Sequence, residues 1–158
     1  MPNHEASVVI KRSVEEVFAF VENPKNELIW RHSRVEADVE TVVDAKDDPD
    51  DGLGGEIGLG ATGREVSKSL GNKFESTWEI TEYEQNKKVV YRSASGPGKY
   101  ESVWTYESVD GGTNVTVATE WELIDRENIG RMSDRVLEKT YRKSVDGDLQ
   151  TLKRLLEA

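Results

Sequence analysis

Cysteine is absent from the 158 residues, so no disulfide framework, thiolate nucleophile or zinc-thiolate site can be built. Histidine is nearly absent. His4 and His32 are the only two, and any Ser-His-Asp arrangement or multi-histidine metal centre would have to start from one of them. His4 falls in a terminus expected to fray, and His32 follows a short predicted helix, where a surface position is the simpler reading. No apolar run approaches the roughly 20 residues needed to span a bilayer, and Met1-Pro2-Asn3-His4-Glu5 lacks the basic-then-apolar order of a signal peptide. Positive charge is also short: the formal net charge is -10, which disfavours nucleic acid and anionic membrane as partners. Most of that excess lies between Glu36 and Glu56, where nine acids face one base, Lys46. The chain is therefore expected to be cytoplasmic, without stable membrane insertion, without metal or cofactor, and without a declared catalytic residue.

What is present is alternation. Glu5 to Lys11 carries Val8 and Ile10 on one face and reads as a first strand. Ser13 follows as an N-cap, Glu16 completes a capping box, and Val14, Val17, Phe18 and Val21 form a helical stripe. Asn23-Pro24 can start a second short helix through Leu28, Ile29 and Trp30. Val35 to Val43 alternates as a second strand. Asp44 to Gly60 has no period and is dense in Asp and Gly, which predicts a long mobile loop, acidic over 44–56. Strands resume over Arg64 to Ser69, Asn72 to Glu84, Lys88 to Ala94, Lys99 to Val109 and Thr113 to Leu123. Gln85-Asn86 and Asp110-Gly111-Gly112 supply hairpin turns.

The fourth strand places Phe74, Ser76, Trp78 and Ile80 on one face; the sixth places Tyr100, Ser102, Trp104 and Tyr106, and the seventh Val115, Val117, Thr119, Trp121 and Leu123. Hydroxyls interleaved with indoles suit a pocket better than a plain core. If Val66 and Tyr91 point inward, Arg64 does too and Arg92 does not. The last helix, from about Asp125 or Ile129 to Leu156, carries Leu137, Tyr141, Val145, Leu149, Leu152 and Leu156 on one side. A second side, Ile129, Met132 and Val136, continues as Thr140, Ser144, Gly147 and Thr151, a run of small residues that either borders a void or marks a kink or register shift near Gly147.

Four segments carry a family resemblance. They are Ser7-Val8-Val9-Ile10 with Val14-Glu15-Glu16-Val17-Phe18; Trp78-Glu79-Ile80-Thr81-Glu82-Tyr83-Glu84; Gly111-Gly112-Thr113-Asn114-Val115-Thr116-Val117; and Asp148-Leu149-Gln150-Thr151-Leu152-Lys153. In this order the chain resembles the START-like helix-grip superfamily, nearest its polyketide cyclase/dehydrase and lipid-transport (SRPBCC) branch. The resemblance covers nearly the whole chain and implies one α+β domain over 1–158. In that fold a curved seven-stranded antiparallel sheet wraps around a long C-terminal helix, with two short helices between strands one and two. It also implies a central apolar cavity. Carried onto this sequence, the lining would be Phe74, Ser76, Trp78, Tyr100, Ser102 and Trp104 from the sheet, Thr119 and Trp121 beside them, and Met132, Val136 and Thr140 from the helix. The resemblance transfers no catalytic motif, because its segments are turn, core and packing residues.

Other patterns fail on context. Gly58-Leu59-Gly60-Ala61-Thr62-Gly63 fits GxGxxG, but a strand follows it where a dinucleotide site needs a helix. Asp47-Asp48-Pro49-Asp50-Asp51-Gly52 lacks the acceptors of a calcium loop at Pro49 and Gly58. The expected function is binding or transport of a small hydrophobic or aromatic molecule of lipid, polyketide or isoprenoid type. The alternative is a polyketide cyclase or dehydratase acting by confinement, with His32, Tyr100 or Arg64 as its one acid or base. A third reading has the acidic loop dock a basic partner surface.

Overall fold

The computed structural model describes residues 3–23, 26–31, 34–41, 58–69, 72–96, 98–123 and 134–158. Strand β1 (Asn3–Ile10) leads into helices α1 (Val14–Val21) and α2 (Glu27–Trp30), then β2 (Arg34–Thr41), β3 (Thr62–Ser69), β4 (Asn72–Glu84), β5 (Lys88–Ser95), β6 (Gly98–Val109), β7 (Gly112–Leu123) and the long helix α3 (Asp134–Glu157). The seven strands form one sheet in the order β1-β7-β6-β5-β4-β3-β2, every neighbouring pair antiparallel. The two helix-linked strands, β1 and β2, thus become the two edges. Predicted elements and observed ones agree in kind and order; β3 begins at Thr62, two positions before the alternation suggested. The predicted start of α3 and the acidic loop 44–56 lie outside the described residues.

The antiparallel ladder makes the strand alternation physical, since residues opposite one another share a face. Val8 and Ile10 of β1, Val89 of β5, Trp104 and Tyr106 of β6, and Val115 and Val117 of β7 all bury into a single core cluster. Helix α1 adds Val17, Phe18 and Val21 to it, and α3 adds Val145, Leu149 and Leu152. Each such aliphatic or aromatic side chain stabilises by about 1.5–3 kcal/mol on burial. The N-cap of α1 forms as its sequence predicts: Ser13 Oγ accepts from the Glu16 amide at 3.2 Å and donates to the Glu16 carboxylate at 3.1 Å.

Two local departures from strict alternation shape the interior. The β4–β5 register shifts between Ile80 and Glu82, so a bulge turns Tyr83 inward against Phe18, at 5.8 Å between rings, and spares Glu82 from burial. Gly63, the last glycine of the GxGxxG match, lies in β3 opposite Trp78, and a Cβ there would sit inside the indole. The glycine exists so that the indole can lie across its backbone. That packing, in a strand, removes the nucleotide reading.

The end of α3 is tied to the β1–α1 junction. Arg12 Nε donates to the Leu156 carbonyl at 2.5 Å, the Lys11 amide donates to the Glu157 carboxylate at 3.0 Å, and Lys153 Nζ donates to the Val9 carbonyl and to Glu157, each at 2.7 Å. The hydrogen bond from Lys153, then that from the Lys11 amide, hold the Glu157 carboxyl below its ordinary value of 4.5.

Gly63→Ala should displace the Trp78 indole, cost about 1–3 kcal/mol in urea unfolding and red-shift tryptophan emission; an unchanged spectrum and midpoint would contradict the packing described. Because the folded-state pKa of Glu157 is depressed, its contribution is complete above pH 4.5 and fades as pH falls through the lower folded value. Glu157→Ala should therefore speed hydrogen exchange of the Lys11 amide relative to wild type at about pH 6, and the two proteins should converge in acid.

Candidate functional site

Along three strands the inner face goes from sealed to partly open in the same direction. On β7, Val115, Val117 and Thr119 are buried and Trp121 is half-buried; on β6, Tyr106 and Trp104 are buried and Ser102 and Tyr100 half-buried. On β4, Ile80 is buried while Trp78 and Ser76 are half-buried. Helix α3 repeats the gradient, buried at Val145, Leu149 and Leu152 and half-buried at Thr140 and Tyr141. The register sets these residues side by side, with Trp104 opposite Val117, Ser102 opposite Thr119 and Tyr100 opposite Trp121. The more open end is thus a strip of indoles, phenols and hydroxyls above a sealed apolar floor.

The strip is chemically organised. Tyr141 donates to Thr119 Oγ1 at 2.8 Å, and Thr119 shares a 2.9 Å hydrogen bond with Ser102. Ser76 donates to the buried Glu65 at 3.2 Å. Buried Glu22, just past the end of α1, accepts from Tyr106 at 2.7 Å and from Tyr91, whose ring meets Trp78 edge-on at 5.2 Å. Arg31 leaves α2 with its guanidinium over the rings of Trp30 and Trp104, 5.1 and 5.7 Å from their centroids, and pairs with buried Asp148 of α3 at 3.5 Å. Two indole faces and a carboxylate are the surroundings that make a buried guanidinium tolerable. Trp30 and Trp104 pack edge to face at 5.8 Å. The buried Nε1 atoms of Trp30 and Trp121 have no hydrogen-bond partner among the described residues.

Of the residues predicted to line a cavity, Ser76, Trp78, Tyr100, Ser102, Trp104, Thr119 and Trp121 fall on the one inner face, and Thr140 is half-buried on α3. Phe74 and Val136 stand in β4 and α3, but their side chains lie outside the described residues, as do Met132 and His32 altogether. Four expectations are corrected, those for Arg64, Val66, His4 and Gly147. Arg64 points outward, opposite Thr77, and pairs with Glu75 at 2.9 Å, because Gly63 and Glu65 hold the inward positions. Val66 is buried on the outer face, so burial there does not report the side. Arg92 does face outward, pairing with Glu101 at 2.9 Å. His4 does not fray: it pairs in register with Thr119, its side chain is 9% exposed, and its ring meets Tyr141 at 6.0 Å. Gly147 is exposed with open space around it, so the small-residue side of α3 turns to solvent there.

Glu22, Glu65, Arg31, Tyr141 and Asp148 are the polar groups of the strip that sequence reasoning did not place in it. Asp148 carried a signal, standing in phase with Val145 and Leu152, where a carboxylate in an apolar stripe requires a partner. Glu22 carried none, since its phenol partners come from β5 and β6.

A family model described as polyketide cyclase / dehydrase and lipid transport matches residues 1–157. No curated protein matches by sequence. Similar solved structures include the Zhui aromatase/cyclase from Streptomyces sp. R1128, with a TM-score of 0.78 at 11% identity, covering 99% of this chain and 93% of that one. TTHA0849 from Thermus thermophilus aligns with a TM-score of 0.77 at 18% identity over 98% and 97% of the two chains. A START superfamily protein from Mycobacterium smegmatis aligns at 0.76 and 11% identity, also over 98% and 97%. These likenesses share an α+β helix-grip-like fold, an antiparallel sheet with a long C-terminal helix and a short N-terminal one. With a match from the first strand to the last turn of α3, the chain belongs to the polyketide cyclase/dehydrase and lipid transport family.

Proposed function

We propose that residues 1–158 act as one binding domain for a small hydrophobic or aromatic molecule of lipid, polyketide or isoprenoid type. The guest is held between α3 and the inner face of a sheet curved around it. The observation that carries this reading is the parallel loss of burial at Trp121, Tyr100 and Trp78 on one inner face, above the sealed floor of Val115, Tyr106 and Ile80. Side chains that face inward and still keep part of their surface accessible border space, and indoles with a few hydroxyls are what such space needs to hold an apolar guest. Family membership supports the same class of guest. Among the described residues no helix is long and apolar enough to cross a membrane.

A second reading, a polyketide cyclase or dehydratase acting by confinement, is favoured by the buried Glu22 carboxylate holding the Tyr91 hydroxyl beside Trp78. The Zhui neighbour is itself an aromatase/cyclase. Of Tyr100 and Arg64, the two candidates among the described residues, Tyr100 is the one whose place on the inner face suits an acid or base.

Titrating the protein with a panel of lipids and aromatic compounds should quench tryptophan emission with at least one of them, and Ser102→Phe should abolish that quenching while leaving the melting temperature within a few degrees. No quenching by any compound would count against a binding domain. For the enzymatic reading, Tyr91→Phe or Tyr100→Phe should slow turnover of a linear poly-β-ketone about 100-fold with affinity unchanged; equal turnover in both variants would remove it.

A further inference from the structure

We infer that the guest carries hydrogen-bond acceptor oxygens, of ketone, quinone or ether type, and meets a row of donors on the inner face. This deepens the binding-domain reading and rests on it. The inference comes from which polar hydrogens the interior leaves unspent. Trp30 is 1% exposed and its Nε1 has no hydrogen-bond partner among the described residues; the buried Nε1 of Trp121 has none there either. An indole N–H can only donate, so neither deficit is relieved except by an acceptor. Buried donors left unpaired are costly and rare enough in native proteins to call for an explanation such as water or ligand. The hydroxyls between them add a third. Tyr141 spends its hydrogen on Thr119, and Thr119 and Ser102 share one hydrogen bond. Of the two hydrogens on Ser102 and Thr119, that bond uses one, and the other has no acceptor among the described residues.

These donors lie in order. Trp30 packs on Trp104, whose rung is followed on the same face by the Ser102–Thr119 rung and then by the Tyr100–Trp121 rung. Same-face rungs are about 7 Å apart, so the three rungs run over roughly 14 Å, the length of a two- or three-ring molecule. Two carboxylates nearby are already engaged: Glu22 accepts from Tyr91 and Tyr106, and Asp148 is charge-paired with Arg31. Asp148 also offsets the charge of Arg31, so the row favours a neutral carbonyl compound over a carboxylate. A guest of pure hydrocarbon would leave every one of these hydrogens unpaired.

The test uses a matched pair, fluorene and 9-fluorenone, which share a three-ring body and differ by one carbonyl oxygen. Isothermal titration calorimetry on the full chain should give tighter binding of fluorenone by about 5-fold or more, the worth of one hydrogen bond. Trp30→Phe and Trp121→Phe keep an aromatic ring and delete the N–H. At least one should erase the preference while leaving fluorene affinity unchanged. Trp30 is deeply buried, so thermal melts accompany the titrations, and Trp121→Phe at a half-buried position serves if Trp30→Phe does not fold. Equal affinity for the two probes in the wild-type protein overturns the donor row and leaves the binding domain standing. Full preference in the Trp30→Phe/Trp121→Phe double variant, or, where Trp30→Phe does not fold, in Trp121→Phe, also overturns it. Binding of neither probe overturns the binding domain and the donor row together.

Discussion

The packing of Val145, Leu149 and Leu152 against the sheet decides where this molecule is sealed. These residues share one side of α3 and join Ile10, Val115 and Val117 in the core cluster, while the clamp from Lys11, Arg12 and Lys153 holds the helix end against the β1–α1 junction. With the last turns of α3 fixed in this way, the helix meets the inner face most closely at its C-terminal half. Toward Tyr141 and Thr140 burial falls away, and the sheet residues opposite lose it in step. A rigid helix pinned at one end and opposed by a continuous antiparallel ladder opens in one direction only. The position of the candidate site is therefore a consequence of the core.

Within that frame, the Arg31–Asp148 pair joins α2 to α3 across the interior. Such a pair adds little net stability, because two charges leave water to form it, but removing one partner leaves the other uncompensated in a dry setting, at a cost of about 3–5 kcal/mol. Its contribution is positional. Asp148 is one residue from Leu149 on the sealed stripe, and Arg31 is one residue from Trp30, so the pair registers the indole of Trp30 over Trp104 relative to the floor. Glu22 acts similarly from α1, collecting phenols from β5 and β6.

The frame is legible in the sequence because it is periodic. Alternation on β6 and β7 puts Trp104, Ser102, Thr119 and Trp121 on one face, and the Ser13–Glu16 pair marks the start of α1. The orientation of β3 is legible by pairing and not by hydrophobicity. Strand ends at Ser69 and Asn72, read as a hairpin pair, set Arg64 opposite Thr77 and Glu65 opposite Ser76, as the ladder has them. Hydrophobicity argues the other way, because Val66 is buried on the outer side, and a buried valine does not say which face covers it. Glu22, Arg31 and the bulge that turns Tyr83 inward follow no period at all. They depend on partners far away in the chain, and a single sequence carries no trace of such pairing. Gly147 misleads for a related reason: a small residue on a helix is consistent with a void or with solvent, and only the rotation of α3 about its axis separates the two.

The division between sealed and open rungs bears on how sequences sharing this fold vary. Zhui and the Mycobacterium smegmatis protein keep this fold at 11% identity, with TM-scores of 0.78 and 0.76. The floor needs only apolar side chains of roughly the right volume, a requirement many sequences meet. The turns and caps ask for few specific residues. Toward the open end each inward position is an isolated choice on its own rung, and changing Ser102, Thr119 or Trp121 alters the hydrogen bonds offered to a guest without touching Val115, Leu149 or the helix clamp. If the guest sits as proposed, selectivity and stability fall on different rungs of the same strands, so one can change while the other is kept, and fold alone says nothing of the guest. On the proposed reading, the residues that decide it are those whose polar hydrogens are left without an acceptor among the described residues.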